Sequence, residues 1–191
     1  RFRMSIKVLI SLCPILLLTS CLEVNQTINI NKDGSGNARM EIALQMEVLT
    51  MPGSQQQISG MKAALQKEGW NIEGEKDSNG KHLITATKKF KDISELNDNE
   101  ARYAFSYERK GFLKKSYAIN IKYLKSSEMP FPYEVTIDMP GSIDETSGNK
   151  ISSDMVRWNF QDVRRGTTLS VKSSGFALPD FNVKIDLVPN K

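Results

Sequence analysis

Cys21 is the residue whose surroundings most clearly specify a reaction. Leu18 stands three places before it, and the small residues Thr19 and Ser20 lie between. This pattern is typical of a lipobox, in which the thiolate takes up a diacylglyceryl group and a peptidase then cleaves just before the Cys. Two acyl chains, palmitate among them, give stable anchoring because each buried methylene contributes about 0.8 kcal/mol. The sequence therefore predicts lipidation at Cys21.

The twenty residues before Cys21 have the composition of a secretory signal. Arg1, Arg3 and Lys7 form a positive start, and a mainly apolar run follows over residues 8–18. Such a run is too short to span a bilayer by itself. We therefore expect residues 1–20 to be a lipoprotein signal peptide and residues 21–191 to form a single lipid-anchored domain. The alternative is an ordinary secretory signal that happens to precede a Cys.

The predicted mature chain is almost neutral. The whole sequence has 26 basic and 22 acidic residues, so loss of Arg1, Arg3 and Lys7 leaves 23 against 22. This balance gives no electrostatic support for a nucleic-acid partner. Since Cys13 leaves with the signal and Cys21 carries the lipid, stability has to come from a hydrophobic core rather than from a disulfide.

Metal and acid–base chemistry have little support in the sequence. His82 is the only histidine, and it begins a predicted strand beside a turn, where we expect a solvated side chain rather than a base or ligand. Asp33, Ser35 and Asn37 have the alternate spacing that begins a calcium loop, but Leu44 stands where that loop needs Glu. We therefore expect no metal and no cofactor.

Paired carboxylates are the remaining route to catalysis. Asp144 and Glu145 are adjacent, but they lie in a segment rich in Gly and Ser, where we expect a loop with solvated side chains. The prediction is a protein that is not an enzyme. The alternative is a hydrolase that acts at the envelope surface with carboxylates of the 138–162 region.

A basic segment between residues 102 and 125 is the second candidate site. It has seven basic residues and one acidic residue, and Phe112 and Leu113 lie at its centre. Basic residues near an anionic membrane surface contribute about 1 kcal/mol each. The alternative is a solvated turn whose Phe112 packs onto the sheet. The candidate membrane or ligand contacts are Arg109, Lys110, Phe112, Leu113, Lys114 and Lys115.

Alternating apolar residues predict that strands position these groups. Residues 22–30 and 38–48 alternate around the turn-forming segment 31–37, which indicates a long β-hairpin. Further strands are predicted at 70–75, 83–90, 103–107, 117–123, 133–139, 156–160, 169–171 and 181–187.

Two short helices are also predicted. Ser54 and Gln57 have capping-box spacing, apolar residues of 58–65 share one face, and Gly69 follows as a stop signal. Residues 92–95 have the same cap spacing. The predicted fold class is α+β: a meandering, curved antiparallel β-sheet, with closure towards a barrel as one option, and about two short helices.

These features together resemble the LppM-type domain of bacterial lipoproteins. The resemblance rests on Cys21 followed at once by a strand, the Asp33-Gly34-Ser35-Gly36 turn, the Phe90/Leu96 stretch, and Met139-Pro140-Gly141 ahead of Val156 to Phe160. It implies a curved antiparallel sheet with helices, and a non-enzymatic role in the cell envelope that involves lipid or glycolipid.

The predicted function is a binding or structural module held at a membrane by its lipid. Its expected partners are that membrane and a lipid or envelope protein, and the sequence does not specify an oligomeric state. Leu22, rather than Asp, follows Cys21. By the sorting rule of enteric-type bacteria this predicts the outer membrane in an organism with two membranes, and otherwise the outer face of the plasma membrane.

Overall fold

The computed structural model describes residues 21–97, 103–111, 114–123, 131–163 and 167–176. The predicted signal peptide and the alternating segment at 181–187 lie outside these ranges. No helix within the ranges combines the length and the apolar composition that crossing a membrane requires.

Strands make up most of the described chain. They are β1 (Leu22–Ile30), β2 (Gly36–Gln45), β3 (Asn71–Ser78), β4 (Lys81–Phe90), β5 (Tyr103–Lys110), β6 (Lys114–Tyr123), β7 (Tyr133–Asp138), β8 (Ser142–Thr146), β9 (Asn149–Lys150), β10 (Met155–Asn159) and β11 (Thr168–Phe176).

The long hairpin predicted at the start of the domain is confirmed. β1 and β2 pair antiparallel from Leu22 opposite Leu44 to Ile30 opposite Gly36. In the turn, the backbone N–H of Ser35 donates to the Asp33 carboxylate at 3.0 Å. The even-numbered residues of β1 are buried and the odd-numbered ones are more exposed, as the period-2 pattern predicts.

The strands predicted at 70–75 and 83–90 are confirmed, and they pair antiparallel as the hairpin β3–β4. Its two-residue turn has Asn79 at φ 51° and Gly80 at φ 73°. Positive φ at both central residues is the type I′ geometry that matches the twist of a hairpin, and Asn-Gly adopts it readily. The predicted cap at 92–95 is present as a capping box, in which the Asp92 and Glu95 side chains each accept a backbone N–H at the start of the 3-10 helix Ile93–Leu96.

Helical structure after β2 departs from the prediction in two ways. The strand ends at Gln45, and residues that were predicted to continue it form a one-turn helix, α1 (Met46–Leu49). The following helix, α2 (Ser54–Lys67), has no side-chain cap. The Ser54 hydroxyl instead donates to the carbonyl of Leu49 at 2.9 Å, so it closes the α1–α2 connection.

The strands form two open sheets rather than one meander or a barrel. The larger has the order β3-β4-β2-β1-β7-β10-β9, and the smaller has the order β5-β6-β11-β8. β1 and β7 pair parallel, from Val24 opposite Tyr133 to Asn29 opposite Asp138. The predicted antiparallel character is otherwise confirmed, but this one parallel pair brings residues from the two halves of the chain side by side.

One hydrophobic core lies between these layers. Ile28, Ile42 and Ile84 of the larger sheet and Ile119 and Val171 of the smaller sheet are each completely buried, and they belong to a single cluster. Helix α2 adds its apolar face, Ile58, Met61 and Leu65, to the same cluster. The cluster therefore joins the two sheets and the helix.

Candidate functional site

Cys21 is joined directly to the centre of the larger sheet. The backbone N–H of Gln45, the last residue of β2, donates to the carbonyl of Cys21 with an N···O distance of 3.0 Å. β1 begins at the next residue, Leu22, which is buried. Cys21 itself is partly exposed. A group attached to its thiol is therefore connected to the sheet without a linker.

The same end of the sheet also carries an ion pair, the start of α1 and the β3–β4 turn. The Lys81 ammonium donates to both oxygens of Glu23, at 2.7 and 2.8 Å. The N–H of Met46, at the start of α1, donates to the carbonyl of Gly80 in the β3–β4 turn at 3.1 Å. The α1 segment and this turn therefore lie beside Cys21, and we call this region the anchor end.

His82 also lies near the anchor end, and the prediction that it is solvated is wrong. Its Nδ1 is 2.7 Å from Asp77 and its Nε2 is 3.0 Å from Glu75, while the Lys62 ammonium donates to Glu75 at 2.6 Å. The hydrogen bond to Asp77, followed by that to Glu75, raises the pKa of His82 above its usual value. Lys62 and His82 lower the pKa of Glu75. This network connects α2 to the β3–β4 hairpin.

No metal site accompanies this network in the part of the chain that the structure describes, where no three His, Cys, Asp or Glu side chains are arranged to hold an ion. His82 is engaged with two carboxylates and lies on the side of the sheet that faces α2. The geometry therefore gives the histidine a role in packing charged groups between a helix and a hairpin.

The predicted basic hairpin is β5–β6, and its tip lies at the other end of β1. The Tyr107 hydroxyl donates to the carbonyl of Lys32 at 3.2 Å, and the Arg109 guanidinium donates to the same oxygen at 3.3 Å. Lys32 belongs to the β1–β2 turn, and β1 has nine residues. At about 3.3 Å per residue, the tip is therefore about 30 Å from Cys21.

Five cations gather at this tip, and we call them the basic cluster: Lys32, Arg109, Lys110, Lys114 and Lys115. Lys110 pairs with Glu108 at 3.0 Å. The other lysines of the cluster form no ion pair with any described residue. Phe112 and Leu113, the apolar candidates, lie outside the described residues. Lys32 was missed from the sequence because a contact between residues 32 and 107 leaves no local signal.

Tyr107 connects the basic hairpin to the β1–β2 turn through its hydrogen bond to Lys32. Its ring stacks on Tyr117 with centroids 6.4 Å apart, and it would contact any side chain placed at Gly34. Burial, together with the neighbouring Tyr117, raises the pKa of Tyr107 to about 12. The phenol is therefore neutral at physiological pH and remains a hydrogen-bond donor to Lys32.

The carboxylates of the 138–162 region lie in two places, on the smaller sheet and around Asp138 and Asp154. Asp144 and Glu145 lie on strand β8 rather than in the predicted loop, and Glu145 accepts from Lys172 at 2.7 Å. The Ser152 hydroxyl donates to Asp154 at 2.6 Å, and this bond lowers the pKa of Asp154. Burial, and the nearby charge of Asp154, raise the pKa of Asp138.

Comparison with known proteins identifies the family. The model of the LppM domain matches residues 23–174. The folded domain of Mycobacterium tuberculosis LppM, determined by NMR, has a TM-score of 0.50 to this structure at 17% identity, and the match covers 86% of this chain and 95% of that chain. A search of the curated proteins found no match. The resemblance inferred from the sequence is confirmed, and the chain belongs to the LppM domain family of lipoprotein-type envelope proteins.

Proposed function

We propose that this chain is a non-enzymatic binding module of the cell envelope, anchored by lipid on Cys21, which binds an anionic envelope component through the basic cluster. Phosphate-bearing lipids and polymers share the chemistry that the cluster fits. The observation that carries the proposal is the position of the cluster, at the end of β1 opposite Cys21 and about 30 Å away. An anchored domain with this geometry presents its cations away from its own membrane.

Electrostatic screening favours a ligand over the anchoring membrane as the partner of the basic cluster. The Debye length is about 8 Å at physiological ionic strength, so the potential of a charged surface falls to about 2% of its value over 30 Å. At the anchor end, Glu23 and Lys81 form an ion pair and neutralise each other. While β1 extends away from the membrane that holds Cys21, the basic hairpin therefore gains little electrostatic attraction from that membrane.

A surface hydrolase remains the alternative, and the interactions of its candidate carboxylates favour binding. A hydrolase that uses two carboxylates needs them to converge on one substrate. Glu145 is engaged by Lys172. Asp154 lies close enough to raise the pKa of Asp138, but its carboxylate accepts a hydrogen bond from Ser152. These contacts support structural roles at a sheet edge and in a turn.

The anchor is tested by the mass of the intact protein recovered from membranes. We expect the chain to begin at Cys21 and to carry a diacylglyceryl group and a further acyl chain. The Cys21→Ser variant should lack this mass and should leave the membrane fraction. Leu22 after Cys21 leads us to propose the outer membrane as the destination where two membranes are present. An unmodified Cys21 in the wild-type chain would contradict the anchor.

Ligand binding is tested with the chain that lacks residues 1–21, so that no lipid contributes. Co-sedimentation with vesicles that contain anionic phosphatidylglycerol, and binding to soluble polyphosphate, distinguish a membrane source of phosphate from a polymer source. The double variant Lys114→Glu/Lys115→Glu should lose most of the binding. The control Lys67→Glu/Lys76→Glu makes the same charge change at exposed positions elsewhere. Equal loss in both variants would show that net charge alone matters.

A further inference from the structure

The described residues include two large hydrophobic side chains that are strongly exposed. Met51 is 43% exposed and Ile151 is 45% exposed. Every other large apolar side chain described in the fold is at least partly covered. Exposed apolar groups scattered singly on a surface need no special explanation. These two side chains differ in their position relative to Cys21, and that difference is informative.

Met51 lies at the anchor end. Gln45 is hydrogen-bonded to Cys21, α1 follows directly, and the N–H of Met51 donates to the carbonyl of Val48 at 3.2 Å. Since Met51 is six residues from Gln45, a fully extended chain would place it no more than about 22 Å away, and the helical turn shortens this. The next residues, Pro52 and Gly53, are exposed and uncharged. The α1–α2 connection is therefore an uncharged surface loop beside Cys21.

Ile151 lies at the opposite end. Its backbone N–H donates to the carbonyl of Met155 at 2.9 Å, and Met155 pairs with Asp138, the last residue of β7. β7 runs parallel to β1, with Asp138 opposite Asn29. Ile151 therefore lies at the same end of the larger sheet as the β1–β2 turn.

We infer that Met51 and the α1–α2 connection seat the domain in the interface of the bilayer that holds the lipid of Cys21. This inference rests on the proposed anchor. Because β1 starts at Leu22 without a linker, the anchor end is held at headgroup depth. At that depth the exposed side chain of Met51 passes from water into an apolar layer. The basic cluster and Ile151 then face away from that bilayer, so the domain has a defined orientation.

Tryptophan scanning at the two exposed positions tests the orientation. The variants Met51→Trp and Ile151→Trp are made in the full chain, which is expressed in a host that lipidates it and is reconstituted into phosphatidylcholine vesicles with brominated acyl chains. Bromine quenches only a Trp that reaches the acyl region. The native Trp70 and Trp158 are buried in both variants and supply the same background. Equal melting temperatures of the two variants establish that both are folded.

We expect Met51→Trp to show a blue-shifted emission and quenching well above the background, and Ile151→Trp to match the unmutated protein. Quenching of Ile151→Trp alone, equal quenching of both, or no quenching in a protein that floats with the vesicles would overturn the orientation. A protein that does not float with the vesicles would instead contradict the anchor. The two failures are therefore distinguished by flotation.

Discussion

Gln26 places a polar side chain in the hydrophobic core, on the buried face of β1. It is 3% exposed, and its side-chain oxygen accepts a hydrogen bond from the hydroxyl of Tyr133 on β7. A buried oxygen that loses its donor costs about 1–3 kcal/mol, whereas replacement of both partners by apolar groups is nearly neutral. We therefore expect this hydrogen bond to favour the parallel pairing of β1 and β7.

Tyr133→Phe should lower the free energy of unfolding by about 1–3 kcal/mol, because the amide oxygen of Gln26 loses its donor. Denaturant unfolding measures the change. The double variant Gln26→Leu/Tyr133→Phe serves as the control and should be more stable than Tyr133→Phe alone. A double variant at least as unstable as the single one would show that lost packing, not the unpaired oxygen, causes the effect.

His82 should make the stability depend on pH. Its pKa is raised in the folded state by Asp77 and Glu75, so its contribution is fully present below the unfolded value of about 6.5 and is lost as the pH rises through the folded value. Lys62 faces Glu75 from α2 and donates to the same carboxylate. Because the carboxylate partners are partly exposed, the contribution should be about 1 kcal/mol or less.

The measurement for His82 is the difference in unfolding free energy between the wild type and His82→Gln at several pH values. The wild-type advantage should be largest between about pH 5 and 6, where Glu75 is ionised and His82 is protonated, and should shrink by pH 9. A difference that is constant over this range would contradict a charged histidine and leave only a packing role.

At the scale of the elements, the β1–β2 hairpin depends on a close approach that only Gly permits. A Cβ on Gly36 would lie 2.0 Å from the carbonyl oxygen of Asn29 and 2.6 Å from the ring of Phe90. Gly36→Ala should therefore destabilise the protein by about 1–3 kcal/mol or more, since the backbone of the paired strand has to move. Thermal unfolding reports the loss.

A matched substitution in α2 should have the opposite sign. Gly60 lies within the helix and an added Cβ there meets nothing within 4 Å. Gly60→Ala should therefore stabilise the protein by about 0.5–1 kcal/mol, because Ala loses less backbone entropy in a helix. If both substitutions destabilised equally, the close approach at Gly36 would not be the cause of its effect.

Elements with local signals were predictable from the sequence. Asn79-Gly80 sets a type I′ turn within two residues, and the alternation of β1 and β2 continues on both sides of one turn. Short stretches were not, because a four-residue helix and a strand end share the same pattern of apolar residues. Met46 and Val48 continue the alternation of β2, yet its partner β4 begins at Lys81, opposite Gln45, so the pairing ends there and the chain enters α1.

At the scale of the whole molecule, the missing information was long-range. The parallel pairing of Val24 with Tyr133 joins residues more than a hundred positions apart, and nothing near either residue specifies it. The basic segment itself was visible as a run of cations. Its distance from Cys21 was not, because the bond from Arg109 to Lys32 depends on how the smaller sheet packs on the larger one. The function proposed for the cluster follows from that placement.

The two sheets share one hydrophobic cluster, so we expect them to unfold together. Ile119 of the smaller sheet and Ile42 of the larger sheet are both fully buried. Ile→Val at such a site costs about 0.5–1.5 kcal/mol. If the sheets unfold as one unit, Ile119→Val should lower the protection of the slowest-exchanging amides by the same amount in both sheets, as should Ile42→Val. Native-state hydrogen exchange measures this protection. A loss confined to the mutated sheet would mean that the two sheets unfold as separate units. The smaller sheet could then not hold the basic cluster in a fixed position relative to Cys21.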